Sequence, residues 1–114
     1  MILGSGSTLK DAFGSSVNFA RIKTIYIANK LTSDQGSSAD AILGVGAAGT
    51  NPLASIFGDI SDVVKVPPGG VILLSAPLVT GFTVTASSSE QLKIANPSSL
   101  TDVPYEVVIV GTAA

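Results

Sequence analysis

The sequence predicts an all-β domain, a mainly antiparallel sandwich of the jelly-roll type. Short runs rich in β-branched residues recur along its 114 residues, and clusters of glycine, proline, serine and asparagine separate them. This spacing is typical of a sandwich or barrel and gives about seven strands. No amphipathic helical pattern of useful length occurs, and connections too short for crossover helices favour antiparallel neighbours. A small closed barrel is the alternative architecture.

The chain is expected to form one domain. Residues 9–114 are enough for a single hydrophobic core and too few for two. Residues 1–8 contain a Gly-Ser-Gly-Ser run, whose composition is that of a flexible linker. We therefore predict a flexible N-terminal segment over residues 1–8, followed by the folded domain.

The first strong strand signal covers residues 19–29. Apolar side chains occupy both parities of its second half, with Ile25 on one and Tyr26 on the other. Such a pattern fits a strand that is covered on two sides, and a β-bulge near Thr24 explains it equally well. The polar, serine-rich residues 30–40 then predict an exposed loop.

A second strand is predicted over residues 41–45, and residues 46–59 have a loop composition. An apolar cluster lies inside this loop, formed by Leu53, Ile56 and Phe57. The cluster either plugs the core or contacts a neighbouring subunit. Because an apolar cluster in a loop has fewer intramolecular reasons to exist than one in a strand, these three residues are our predicted subunit interface.

A strand over residues 62–66 is expected to end at the Pro-Pro-Gly-Gly sequence of residues 67–70. Proline cannot donate to a β-ladder and glycine permits positive φ, so a hairpin-like return is predicted there. The next run, residues 71–76, is almost continuously apolar. It is the best candidate for a central strand buried on both faces.

The remaining strands follow from alternation. Residues 82–86 place Phe82 and Val84 inward and threonines outward. Leu92 and Ile94 alternate with polar residues in the next strand, and residues 105–110 form the last one.

Charge is scarce in this chain. Charged residues make up 12% of it, about half the share usual in soluble domains. A small monomer normally keeps its surface charged, so the deficit indicates that other subunits cover part of it. The net charge of −2 and the scattered basic residues give no footprint for nucleic acid, and no run reaches the roughly 18 apolar residues of a membrane span. We expect no nucleic-acid and no membrane partner.

The residue inventory argues against an enzyme. Without histidine or cysteine, nucleophile–histidine triads, thiol catalysis and histidine-ligated metals are excluded. Asp59 and Asp62 are spaced to approach a calcium ion, but further oxygen ligands at regular spacing are missing. Gly44 and Gly46 match no phosphate-binding fingerprint and are interpreted as turn or close-packing glycines. We therefore expect no catalytic residues, no metal and no cofactor.

Six stretches, in order over most of the chain, carry a family resemblance: residues 9–14 (Leu-Lys-Asp-Ala-Phe-Gly), 19–23 (Phe-Ala-Arg-Ile-Lys), 66–74 (Val-Pro-Pro-Gly-Gly-Val-Ile-Leu-Leu), 84–86 (Val-Thr-Ala), 92–96 (Leu-Lys-Ile-Ala-Asn) and 105–111 (Tyr-Glu-Val-Val-Ile-Val-Gly). In these the chain resembles a family of small, largely uncharacterised structural proteins from the head-gene regions of tailed bacteriophages and prophages. Relatives carry a longer N-terminal segment before the first stretch, so the resemblance also implies that a neighbouring subunit supplies a missing sheet edge by strand addition.

The resemblance implies a non-enzymatic virion protein, assembled in the host cytoplasm, such as a capsid decoration or another head-associated module. Its expected partners are copies of itself, in a homo-oligomer such as a trimer, and other virion proteins. A glycan-binding module is the alternative function, because β-sandwiches frequently carry such sites.

Overall fold

The computed structural model of the chain describes residues 1–32, 41–97 and 102–113. These residues form seven strands: β1 (Phe19–Asn29), β2 (Leu43–Ala47), β3 (Val63–Val66), β4 (Val71–Ser75), β5 (Phe82–Thr83), β6 (Leu92–Ala95) and β7 (Tyr105–Ala113). All-β structure and the number of strands are confirmed. Most of the predicted loop over residues 30–40 lies outside the described residues.

The strands form two antiparallel sheets. In the four-stranded sheet, β1 is central: β7 pairs with it along its whole length, while β4 and β5 pair with separate parts of it. Because β7 fills one edge of β1, β4 and β5 share the other. The second sheet has the order β3-β2-β6. Within the described ranges neither sheet closes into a barrel, so the sandwich prediction is confirmed over the barrel alternative.

The core lies between the sheets and is built from the inward-facing residues of the strands. Strand β1 contributes Ile22, Ile25 and Ile27, and the facing sheet contributes Leu43 and other branched side chains, all nearly inaccessible to solvent. The step of three residues from Ile22 to Ile25 breaks strand alternation. It requires an extra residue in the strand.

A bulge in β1 supplies that residue. In the ladder with β7, Ile22 lies opposite Gly111 and Thr24 opposite Val110, so Lys23 has no counterpart. The extra residue changes the parity of the strand and lets isoleucines on both sides of it reach the core. The predicted bulge near Thr24 is confirmed.

The N-terminal residues belong to the fold, which corrects the linker prediction for residues 1–8. Leu3 is completely buried in the core cluster. Its backbone N–H donates to the carbonyl oxygen of Glu90 (2.9 Å), and its own carbonyl accepts from the N–H of Phe19 (2.8 Å). Composition suggested a linker because glycine and serine dominate this segment, but one leucine with satisfied backbone groups is enough to fix its start to the sandwich.

Strand β4 corrects a second expectation. In the described residues it pairs with β1 alone, and only Ile72 and Leu74 face the core, while Val71 and Leu73 are exposed. The central strand is therefore β1. The turn before β4 also differs from a hairpin: Gly69 has the predicted positive φ of 74°, but the turn joins β3 in one sheet to β4 in the other.

One buried polar side chain ties the two sheets together. Asn29, at the end of β1, is almost fully buried. Its Nδ2 donates to the carbonyl oxygens of Ala41 (2.8 Å) and Val66 (3.0 Å), and its Oδ1 accepts from the N–H of Leu31 (3.0 Å). Satisfying all these groups makes its burial favourable and fixes the end of β1 against the end of β3.

Candidate functional site

The predicted interface residues lie in the core rather than on the surface. Leu53 is completely buried, Phe57 is 8% exposed, and Ile56 is half-buried against the same cluster. The backbone N–H of Leu53 also donates to the carbonyl oxygen of Gln91 (3.0 Å). Side chains this deeply buried offer little area to another subunit. The structure thus corrects the interface prediction for Leu53, Ile56 and Phe57 and favours the core plug.

The two aspartates considered for calcium stabilise a turn. Asp59 Oδ1 accepts hydrogen bonds from both the N–H and the hydroxyl of Ser61, and Asp62 Oδ2 accepts from the N–H of Asp59 (2.9 Å). The hydrogen bonds from Ser61 hold the pKa of Asp59 below its ordinary value of 3.8, because they favour the ionised carboxylate. Over the described ranges, no three acidic side chains are grouped so that they could hold a metal ion.

The glycines that match no phosphate-binding fingerprint lie in strand β2. A Cβ on Gly46 would come within 3.2 Å of the Cα of Val63 in the adjacent strand. This is the close packing that the sequence analysis proposed as one of two explanations.

The most distinctive surface is the outer face of the four-stranded sheet. Three cross-strand rows cover it: Leu73, Tyr26 and Val108 form the middle row, Val71, Ala28 and Glu106 lie on one side, and Ser75, Thr24 and Val110 on the other. Ala28 is buried. We call the other apolar members of these rows the outer apolar face; they are Val71, Leu73, Tyr26, Val108 and Val110.

The outer apolar face is exposed to solvent. Leu73 is 64% exposed, and Val71, Val108 and Val110 are each about half exposed. Glu106 is the single charged side chain in the three rows. The other parity of the same strands packs on the core, so this exposure follows from strand alternation and not from local unfolding. A contiguous apolar patch of this kind marks an interaction surface.

Basic side chains border the outer apolar face at the bulged end of β1. Arg21 Nη1 donates to the carbonyl oxygen of Thr80 (3.0 Å), and Lys23 Nζ donates to the carbonyls of Leu78 and Val79. These contacts fix the loop between β4 and β5 by its backbone. The side chains of Leu78 and Val79 are left almost fully exposed at the loop tip.

A second apolar tip lies in the N-terminal hairpin. Phe13 is almost fully exposed, yet its turn is well ordered by hydrogen bonds. Asp11 Oδ1 accepts from the N–H groups of Phe13 (2.8 Å) and Ser15 (2.9 Å), and Gly14 provides the positive φ of 84°. A large aromatic side chain held out by a fixed turn is a second candidate contact for another molecule.

Sequence reasoning missed the outer apolar face, although one signal was present. Residues 71–76 were correctly recognised as apolar on both parities, but the second apolar parity was assigned to intramolecular burial. Among the described residues, one parity packs on the core and the other is exposed. The second set of apolar side chains of β4 therefore lies on the surface of the sheet.

Comparison with protein-family models, with curated proteins and with solved structures finds no match to this chain. Within the described ranges, no helix has the length and apolar character needed to cross a membrane.

Proposed function

We propose that this chain is a non-enzymatic virion structural protein, a capsid decoration or head-associated module, that binds other virion proteins through the outer apolar face. The row at the centre of that face, with Leu73 and Val108 exposed on either side of the half-buried Tyr26, carries the proposal. The virion context comes from the resemblance to tailed-phage head-region proteins described above.

Physical chemistry supports a binding role for this face. It lies on paired strands and is thus a preformed surface, so little conformational entropy is lost when a partner covers it. Its apolar centre and charged margin resemble the anatomy of protein interfaces, with Glu106 and Lys23 at the edge. The low charge of the whole chain, 12% of its residues, supports a subunit that spends part of its surface on contacts.

The test uses two matched valines. Val71 is 53% exposed on the outer apolar face, and Val63 is 54% exposed on the outside of the opposite sheet. Each is the first residue of a strand at the edge of its sheet. Val71→Asp and Val63→Asp therefore make the same chemical change at equal exposure on opposite sides of the molecule.

Binding is measured by co-sedimentation of each variant with purified particles of the phage or prophage that encodes the chain. We expect Val71→Asp to weaken binding at least about tenfold, because a carboxylate would be buried in an apolar contact, and Val63→Asp to bind like the unchanged chain. Equal binding by all three proteins would reject the outer apolar face as the contact. Absence of the chain and of any affinity for it in those particles would reject the virion role.

A further inference from the structure

Strand β7 is the longest uncovered edge in the described part of the chain. Its nine residues pair with β1 alone, whereas the other strands at sheet edges, β3, β4, β5 and β6, have two to five residues. Proteins protect exposed edges with lysine, proline or short length. Strands β3 and β6 each contain a lysine, and Pro67 directly follows the end of β3. Strand β7 contains neither lysine nor proline, so a partner strand is expected on it.

An apolar groove lies beside the inward side of this edge. It has a volume of about 290 Å³ and lies between β7 and the N-terminal residues. Its lining is mainly apolar, with Lys10 as the one charged side chain: Met1, Leu9, Lys10, Val17, Phe19, Val107 and Ile109. A strand added to β7 would direct alternate side chains over this groove. Groove and edge together have the form of a strand-acceptor site.

We propose that the occupant is a second copy of this chain, with β7 pairing antiparallel to β7 of the second copy about a two-fold axis at Ile109. This register uses all nine residues, because Tyr105 and Ala113 are equally distant from Ile109 along the strand. An isologous contact of this type is the commonest solution for a soluble homodimer. The pairing would join the four-stranded sheets of both copies into one continuous sheet.

The sequence of β7 is self-complementary in this register. On the outer face, Val108 lies opposite Val110 of the partner subunit, and Glu106 opposite Thr112 of the partner subunit. The two glutamates are then offset by six residues, roughly 20 Å along the strands, which removes like-charge repulsion. On the inner face, Ile109 meets its own copy beside the two apolar grooves. An unrelated partner strand would need to supply this complementarity independently.

The inference goes beyond the proposed function, since it specifies where the chain associates with a second copy of itself. It places that contact on the β7 edge and leaves the outer apolar faces of both copies on one side of the joined sheet, free for other virion proteins. The edge contact and the face contact therefore predict different effects of different substitutions.

Cysteine cross-linking tests the register, because the chain contains no cysteine of its own. Residues opposite each other in an antiparallel pair have Cα atoms about 4.5–5.5 Å apart, within the range of a disulfide. Val108→Cys mixed with Val110→Cys should therefore yield a disulfide-linked heterodimer under mild oxidation. Either variant alone should cross-link poorly, because residue 108 is offset by two residues from its own copy, roughly 8 Å between Cα atoms.

The result expected is at least a tenfold excess of the mixed cross-link over each variant alone, at concentrations where light scattering detects dimers. Equal cross-linking of Val108→Cys with itself would indicate that the outer faces stack, and would overturn the edge pairing. A dimer without the mixed cross-link would overturn it as well. Loss of particle binding by Val71→Asp with the mixed cross-link absent would uphold the proposed function and reject only this inference.

Discussion

Substitutions of two leucines should separate the effects of a side chain on folding from its effects on association. Leu53 is completely buried, and Leu73 is 64% exposed on the outer apolar face. Leu53→Ala should lower the free energy of unfolding by about 2–5 kcal/mol, the range measured for leucine truncation in cores. In a domain of this size that corresponds to a fall in Tm of roughly 10–20 °C. Leu73→Ala should change the unfolding of the isolated chain by less than about 1 kcal/mol.

Leu73→Ala is expected to reduce mainly the free energy of binding to a partner. Full burial of a leucine side chain is worth about 1.5–3 kcal/mol, and 64% of this side chain is still available for burial. The loss is therefore about 1–2 kcal/mol for each Leu73 that a partner covers, or roughly a 5- to 30-fold weaker binding constant. Leu53→Ala should not change the binding constant of molecules that remain folded.

The assay combines thermal unfolding of dilute protein, followed by circular dichroism, with co-sedimentation of each variant at a temperature where it is folded. The reasoning would be refuted if Leu53→Ala unfolded like the unchanged chain while weakening particle binding, since Leu53 would then act as a contact and not as core. It would also be refuted if Leu73→Ala lowered the Tm of the dilute chain as strongly as Leu53→Ala.

Three further predictions concern single side chains. Asn29→Ala should destabilise the chain by about 2–4 kcal/mol in urea unfolding, because it leaves buried backbone groups without partners; a loss below 0.5 kcal/mol would show that the connection between the sheets is unimportant. Glu90 is 5% exposed and its Oε2 has no hydrogen-bond partner among the described residues, so Glu90→Gln should stabilise the chain by about 1 kcal/mol, and a destabilised variant would reveal a favourable contact of the carboxyl group. Ser61→Ala should raise the pKa of Asp59 part of the way toward 3.8 in an NMR titration, because it removes the hydrogen bond from the hydroxyl and leaves the one from the backbone N–H. A lowered pKa stabilises the folded state above pH 3.8, and this contribution is lost as the pH falls through the pKa that Asp59 has in the folded state. An unchanged titration curve of Asp59 in the variant would argue against the hydrogen bond from the Ser61 hydroxyl.

The strands were predictable because their signals are local. Alternation placed Phe82, Val84, Leu92 and Ile94 toward the core, and positive φ at Gly69 follows from the Pro-Pro-Gly-Gly turn. The bulge in β1 was recognisable because it leaves apolar residues on both parities. Each of these features depends on a few neighbouring residues.

What the sequence could not show depends on topology. Local patterns do not reveal which sheet a strand joins, so the turn before β4 was interpreted as a hairpin and β4 as a central strand. The burial of Leu3 and Leu53 could not be predicted either, because a single leucine in a glycine-rich or loop-like segment gives no periodic signal. The outer apolar face could be identified only after one parity of β4 was known to pack on the core.

The most direct test of the account is the molar mass of the purified chain, measured by light scattering across the micromolar to millimolar range. If the β7 edge exists to be covered by a second copy of the chain, the mass should rise from that of one chain, 11.4 kDa, to twice that value. A mass that stays at 11.4 kDa up to the highest concentration would contradict the account.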